Sequence, residues 1–126
     1  TVPTGLHLVG MGINSRIEGH VICQGAGLMN FAAYLSGSSS EDETAVTLDN
    51  FGELEIRDCN FKALQTGVGD AFAVSVIGTR PVYIFDTYIE GIHDYGGDAY
   101  GIQLLGDDVF MYGGYLGGTT APYLGA

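Results

Sequence analysis

Short runs in which apolar and polar residues alternate occupy most of the chain. Val74-Ser-Val76 and Val82-Tyr-Ile84 are examples, and the runs end at Gly, Asp or Asn. Successive side chains of a β-strand point to opposite faces, so a period of two predicts strands, and the bounding residues predict turns. We therefore expect an all-β chain. The segment 28–35 is compatible with either a short helix or a strand.

The strand pattern repeats at a nearly constant spacing. Val46, Val74 and Ile102 follow one another at equal intervals. In three further sets of apolar positions the first interval is the same and the second is one residue shorter. These sets are Leu54/Val82/Val109, Ile56/Ile84/Met111 and Phe61/Ile89/Leu116. A repeat of about 28 residues with three short strands and no helix is typical of one coil of a parallel β-helix, whose aligned residues form inward ladders. An antiparallel β-sandwich is the alternative, although it does not require a constant spacing.

A weaker first copy of the repeat precedes these three. Val21–Leu28 matches the segment that begins at Leu54, at an offset longer than the interval between the later copies. We assign the extra residues to the polar, acidic segment 36–43, which we interpret as an inserted surface loop. The whole chain, residues 1–126, is then one β-helix domain of about four coils. The start at Thr1 without Met suggests a processed chain or an excised module. In this alignment one corner of the coil, where Gly, Asn and Asp tolerate unusual dihedral angles, contains Gly25, Asp58, Asp86 and Gly113.

The coil pattern resembles the right-handed parallel β-helix proteins, which are the pectate-lyase-like superfamily and the phage tailspike and tail-fibre proteins. The resemblance covers residues 44–118, and 6–30 more weakly, and rests on coil length and on rungs such as Val82-Tyr-Ile-Phe-Asp-Thr-Tyr-Ile89. It implies a single-stranded right-handed solenoid, a homotrimer, a polysaccharide partner and an extracellular or virion location. The superfamily includes lyases, glycoside hydrolases, sugar-binding spikes and structural shafts, so the resemblance leaves the activity open.

Charge and composition narrow the classes of partner. The chain has 4 Lys and Arg against 15 Asp and Glu, a formal net charge of −11. The cations Arg16, Arg57, Lys62 and Arg80 are scattered, so we expect no binding to nucleic acid or to an anionic membrane surface. No apolar run has the roughly 18 residues of a membrane span. Cys23 and Cys59 are too few for a disulfide framework or a zinc site and are expected to be buried.

Asp58 and Asp86 are the candidate catalytic residues. Their alignment places them on adjacent rungs, with carboxyl groups about 5 Å apart. Two carboxylates this close can act as acid and as nucleophile or base in glycoside hydrolysis. The competing interpretation is purely conformational, because glycines occupy the equivalent corners. A pectate lyase would also need calcium ligands and a basic residue beside them, and Arg57 is instead expected to stack on Phe85 and Tyr112.

The segment 82–126 contains seven of the eight tyrosines, six acidic residues and no Lys or Arg. Tyr88 aligns with Tyr115 and Phe85 with Tyr112, at outward positions of adjacent rungs. Outward aromatic residues beside carboxylates suit sugar rings, but they also suit a subunit interface or simple packing along the ladder.

Acidic loops supply the remaining candidates. Asp94, Asp98, Asp107 and Asp108 lie in loops between strands and are weak candidates for calcium ligands, although they match no known calcium motif. No other cofactor is expected. The sequence thus favours a non-enzymatic structural or adhesive β-helix module of a viral tail or surface appendage, able to bind glycans. The alternative is a polysaccharide-degrading enzyme of the glycoside hydrolase type.

Overall fold

A computed structural model describes residues 1–94 and 97–120 of the chain. The described residues form twelve strands and no helix, and so none that is long and apolar enough to cross a membrane. The strands are β1 (His7–Val9), β2 (Arg16–Glu18), β3 (Val21–Cys23), β4 (Gly27–Met29), β5 (Ala32–Gly37), β6 (Glu43–Leu48), β7 (Leu54–Arg57), β8 (Asn60–Gln65), β9 (Ala71–Val76), β10 (Val82–His93), β11 (Ala99–Leu104) and β12 (Val109–Thr120).

The strands stack into a parallel β-solenoid of about four turns. One sheet has the order β1-β4-β7-β10-β8-β5-β2, with β12 also on β10, and the other has the order β11-β9-β6-β3. The first half of β10 pairs with β7 and its second half with β8, so each coil has three faces. We call them face A (β3, β6, β9, β11), face B (β1, β4, β7 and the first halves of β10 and β12) and face C (β2, β5, β8 and the second halves). Every pair is parallel, which confirms the solenoid and makes the β-sandwich wrong.

The register confirms the predicted ladders. Val74 pairs with Val46 and Ile102, and the other three sets of apolar positions pair in the same way. Ile56, Phe61 and Ile84 in the middle coils have no exposed surface. Burial of these stacked apolar side chains is the main contribution to the stability of the fold.

The expected alignment of the first copy is wrong. Val21 pairs with Val46 on face A, whereas Leu28 pairs with Ile56 on face B, at the same spacing as in the later coils. The segment 28–35 therefore contributes to β4 and β5 and is not helical. The strand β3 has only three residues, and its alternation of side chains is the same as that of strands on the other faces. Its sequence pattern alone therefore did not show whether it belongs to face A or face B.

The register also corrects the expected insertion at 36–43. Residues 36 and 37 belong to β5 and residue 43 begins β6. Gly37 pairs with Gln65 and Glu43 with Ala71, and both pairs have the spacing of the later coils. The connection 38–42 therefore has the same length as the connection 66–70 in the next coil, and no residues are inserted between them.

The corner between faces B and C has a left-handed backbone conformation. Its residues are Asn30 (φ 57°), Asp58 (φ 52°), Asp86 (φ 49°) and Gly113 (φ 73°). Asp58, Asp86 and Gly113 were correctly placed at one corner, but the first-coil member is Asn30 and not Gly25. L-residues other than Asn and Asp adopt this conformation at a cost, because Cβ crowds the carbonyl oxygen. The positive φ is the main reason for glycine at 113, because a Cβ there would approach only the flexible Asp86 carboxylate, which can move aside.

Candidate functional site

A groove of about 330 Å³ runs along the corner between faces B and C. It brings together the two candidate carboxylates, Asp58 and Asp86, and one pair of candidate aromatic residues, Tyr88 and Tyr115. The other residues that line it are Ile13, Cys59, Asn60, Thr87 and Gly114. Ile13, from the connection between β1 and β2, closes one side with an apolar side chain that is 57% exposed.

The two carboxylates stand at successive rungs of the corner and are exposed to solvent. The Asp58 amide donates a hydrogen bond to the Phe85 carbonyl oxygen at 3.2 Å, which ties the two rungs together next to the acidic side chains. The left-handed backbone alone accounts for Asp at both positions. Their exposure on the groove leaves both carboxylates available to accept hydrogen bonds from a ligand.

The floor of the groove is buried and neutral. Thr87 has no exposed surface, and its hydroxyl donates to the Phe85 carbonyl oxygen at 2.9 Å and accepts from the Cys59 amide at 3.4 Å. Burial raises the pKa of Cys59 to about 11, so the thiol stays protonated near neutral pH. Cys23 and Cys59 are both buried and free, as predicted. A protonated, buried thiol is a poor nucleophile, so Cys59 contributes packing to the groove.

Tyr88 and Tyr115 stack on each other, and Tyr115 remains 42% exposed. Their ring centroids are 4.6 Å apart at an interplanar angle of 17°, and the Lys62 amine lies over the Tyr88 ring at 5.2 Å from its centroid. Both faces of the Tyr88 ring therefore have neighbours, and the ring presents its edge to the groove. Loss of solvent around the ring raises the pKa of Tyr88, and the Glu90 carboxylate, which accepts a hydrogen bond from the hydroxyl, raises it further.

The four predicted aromatic residues do not form one site. Phe85 and Tyr112 stack at 5.2 Å on face B, with the Arg57 guanidinium 4.0 Å from the Phe85 centroid, as the sequence predicted for Arg57 and Phe85. They do not line the groove. Two more stacked pairs, Tyr83 with Phe110 and Phe72 with Tyr100, were missed by the sequence interpretation, although they recur at the spacing of the inward ladders.

Face C continues from the groove into a smaller one of about 140 Å³. The two share Ile13 and Asn60, and the smaller one adds Arg16, Tyr34 and Lys62. Lys62 pairs with Glu90 in register, but its amine lies over Tyr88. Glu90 instead accepts a hydrogen bond from the Thr119 hydroxyl at 3.0 Å. Two of the four cations of the chain therefore lie on this face, which the sequence interpretation did not recognise.

The acidic loop residues do not converge. Within residues 1–94 and 97–120, no group of three or more His, Cys, Asp or Glu side chains is arranged to hold a metal ion. The Asp107 carboxylate accepts a hydrogen bond from the Asp108 amide at 2.7 Å. Asp94 and Asp98 flank Tyr95 and Gly96, which lie outside the described residues, as does Tyr123. Calcium binding by these four acids stays a prediction.

Comparison of the chain with protein-family models, with curated proteins and with solved structures finds no match.

Proposed function

We propose that the chain is a structural and adhesive solenoid module of a viral tail or surface appendage, and that it binds carbohydrate in the groove at the corner between faces B and C. The observation that carries this proposal is the meeting of Asp58, Asp86, Tyr88 and Tyr115 on one open groove of about 330 Å³. Carbohydrate sites combine apolar surface for the C–H groups of the sugar with polar groups that bind its hydroxyls.

Recognition of a sugar depends on which polar and apolar groups of the groove are open to solvent. The carboxylates of Asp58 and Asp86 are exposed and accept hydrogen bonds from sugar hydroxyls. Ile13, the edge of Tyr88 and the exposed ring of Tyr115 supply apolar contact. Because the ring faces of Tyr88 are covered by Lys62 and Tyr115, a sugar ring does not stack flat on it. Binding therefore depends on the two carboxylates and on the exposed Tyr115 ring, and not on flat stacking against Tyr88.

A glycan array probed with single-residue variants tests this proposal. Asp86→Asn keeps the shape and the corner conformation but removes the negative charge, and we expect it to reduce array binding at least tenfold. Asp108→Asn, at another exposed acid that does not line the groove, is the matched control and should bind like the parent chain. Equal binding by both variants would contradict the assignment of the groove.

A glycoside hydrolase is the second candidate, because both carboxylates line the same groove. The Asn and Gly residues at the equivalent corners of the neighbouring coils support the conformational role instead. Incubation with a panel of polysaccharides, followed by measurement of reducing ends, separates the two. We expect no release. Release that is lost in Asp58→Asn or Asp86→Asn would establish the hydrolase.

The trimer, the appendage and the virion or extracellular location are drawn from the resemblance to phage tailspike and tail-fibre proteins. Sedimentation velocity tests the trimer, because a closed trimer sediments as one species whose size does not depend on concentration above its dissociation constant.

A further inference from the structure

Two of the four cations of the chain, Arg16 and Lys62, line the smaller groove on face C. This cavity of about 140 Å³ lies on a molecule with a net charge of −11. The other two cations, Arg57 and Arg80, line neither this groove nor the larger one. Charges further apart than about 8 Å are largely screened at physiological ionic strength, so the potential inside the cavity depends on the side chains around it more than on the net charge.

The cavity exists because the small side chain of Ala32 lies between larger ones. On face C one outward column of the sheet contains Arg16, Ala32, Asn60, Tyr88 and Tyr115 in successive rungs. Neighbouring rungs are about 4.8 Å apart, so the methyl group of Ala32 leaves a recess between the side chains on either side of it. The recess admits a charged group that the flat outer surface of a sheet would not enclose.

An aromatic ring supports each of the two cations. The Arg16 guanidinium lies 4.5 Å from the Tyr34 centroid, and the Lys62 amine lies 5.2 Å from the Tyr88 centroid. Both rings are half-buried, so they hold the cations at the wall of the cavity. Attraction to a ring orients a cation without neutralising it, and the positive charge therefore remains available to an anion.

The carboxylates nearby leave hydrogen-bond donors of both cations free. One nitrogen of Arg16 lies 3.1 Å from the Glu18 carboxylate, and the guanidinium has five N–H donors in all. Lys62 makes no ion pair within residues 1–94 and 97–120, and the carboxylate of its register neighbour Glu90 accepts a hydrogen bond from a threonine hydroxyl. Both cations can therefore donate charge-assisted hydrogen bonds to an anion in the cavity.

The two grooves are continuous, and their charged side chains have opposite signs. They share Ile13 and Asn60, while Asp58 and Asp86 line only the larger groove, where no described cation accompanies them. A neutral sugar suits the larger groove, whereas a carboxylate is repelled there and attracted by the cations of the smaller one. The side-chain amide of Asn60, at the boundary, can both donate to a sugar and accept from it.

We propose that the saccharide bound by this protein is an acidic heterosaccharide. A neutral sugar occupies the larger groove, and the carboxylate of the adjoining acidic sugar binds Arg16 and Lys62 in the smaller one. This inference rests on the carbohydrate binding proposed above and names the class of saccharide. The guanidinium matches the two oxygens of a carboxylate, and the ammonium adds a second positive charge. A polymer of uronic acids alone does not fit, because it would place a second carboxylate against Asp58 and Asp86.

Pairs of oligosaccharides that differ in one functional group test the proposal with the full chain. The probes are oligosaccharides of alternating uronic acid and neutral hexose, in several linkages, each beside its carboxyl-reduced form. The parent should bind at least one acidic probe about tenfold more tightly than the reduced form, because hydrogen bonds between charged groups are stronger than neutral ones. This preference should fall when salt is raised from about 0.15 M to about 1 M.

Substitutions at the cations and beside them locate the preference. Arg16→Gln and Lys62→Gln should each lower it to about threefold or less, with no change for the reduced probe. Glu18→Gln removes a competing carboxylate and should raise the preference. Arg57→Gln is the matched control, because Arg57 also pairs with a glutamate, lies over the Phe85 ring and is similarly exposed, at 45% against 48% for Arg16, yet lines neither groove. It should keep the preference of the parent.

The outcomes separate this inference from the carbohydrate site itself. Equal affinity of the parent for the acidic and reduced probes, both weakened by Asp86→Asn, would overturn the inference and leave the site in place. An equal loss of preference in Arg57→Gln and Lys62→Gln would also overturn it, because overall charge would then explain the effect. No binding of any saccharide would overturn both proposals.

A second readout uses the parent chain alone and does not depend on the folding of a variant. The Ala32 methyl group lines the smaller groove and not the larger one. Its resonance should shift in a saturable way on titration with an acidic probe, and much less with the reduced form. An Ala32 resonance that responds equally to both forms, or to neither, would contradict the placement of the acidic sugar.

Discussion

The corner residue Asp86 allows its backbone role to be separated from its role in binding. Its φ of 49° lies in the left-handed region, which costs an ordinary L-residue roughly 1–2 kcal/mol, while Asp and Asn pay less because their side chains bond to the local backbone. We expect Asp86→Ala to lower the free energy of unfolding by about 1 kcal/mol. Asp86→Asn should leave it unchanged. Asp86→Gly should also come close to the parent, because relief of the backbone strain offsets the larger entropy of the unfolded chain.

Thermal unfolding can measure a difference of this size. For a chain of 126 residues the entropy of unfolding near 60 °C is about 0.26 kcal/mol/K, so 1 kcal/mol corresponds to a shift in Tm of about 4 °C. Glu53→Ala, at an exposed position with a negative φ, is the control and should shift Tm by less than about 2 °C. The reasoning is refuted if Asp86→Ala is as stable as the parent, or if Asp86→Gly is less stable than Asp86→Ala.

Three further measurements examine the core, the floor of the groove and the His20 side chain. Phe61→Ala removes a fully buried ring from the middle of a ladder and should lower the free energy of unfolding in urea by about 3–5 kcal/mol. Phe110→Ala, at a ring that is 41% exposed, should lower it by less than about 1.5 kcal/mol, and equal losses would contradict the ladder. Cys59, with its pKa raised to about 11, should react with a thiol reagent at pH 8 at least tenfold more slowly than a free cysteine, and rapid labelling of the folded chain would argue against the buried floor. Partial loss of solvent lowers the pKa of His20, an exposed residue whose ring Nε2 lies 2.7 Å from the Thr47 hydroxyl, and the positive N-terminus lowers it further. The fold therefore favours the neutral ring, and stability is lost as pH falls below 6.5. His20→Gln should lose less Tm than the parent between pH 8 and 5, and an identical loss would exclude this contribution.

The solenoid was predictable because its signal is repeated. Sets such as Val46, Val74 and Ile102 return at a spacing that only stacked coils require, and one face of every rung must be apolar to fill the core. The first coil was harder, because β3 is three residues long and its alternation fits either face equally well. Only its pairing with Val46 resolves that ambiguity.

The composition of the groove was predictable only in part. Alignment correctly brought Asp58 and Asp86 to one corner, but Phe85, Tyr88, Tyr112 and Tyr115 were still grouped as one candidate site. The turn at Asp86 sends Phe85 to face B and Tyr88 to face C, so the four aromatic candidates separate into two pairs. Ile13 lies in the irregular connection between β1 and β2, which has no counterpart in the later coils, and so no repeat pattern could place it on the groove.

Carbohydrate binding at the groove is the central claim, and the isoleucine methyl groups provide the most direct measurement of it. Ile13 lines the groove, whereas Ile77, which is 43% exposed, does not. Titration of the methyl-labelled chain with neutral and acidic oligosaccharides should shift the Ile13 methyl resonance in a saturable way and leave that of Ile77 in place. No saturable shift with any saccharide, or a shift at Ile77 without one at Ile13, would contradict the account.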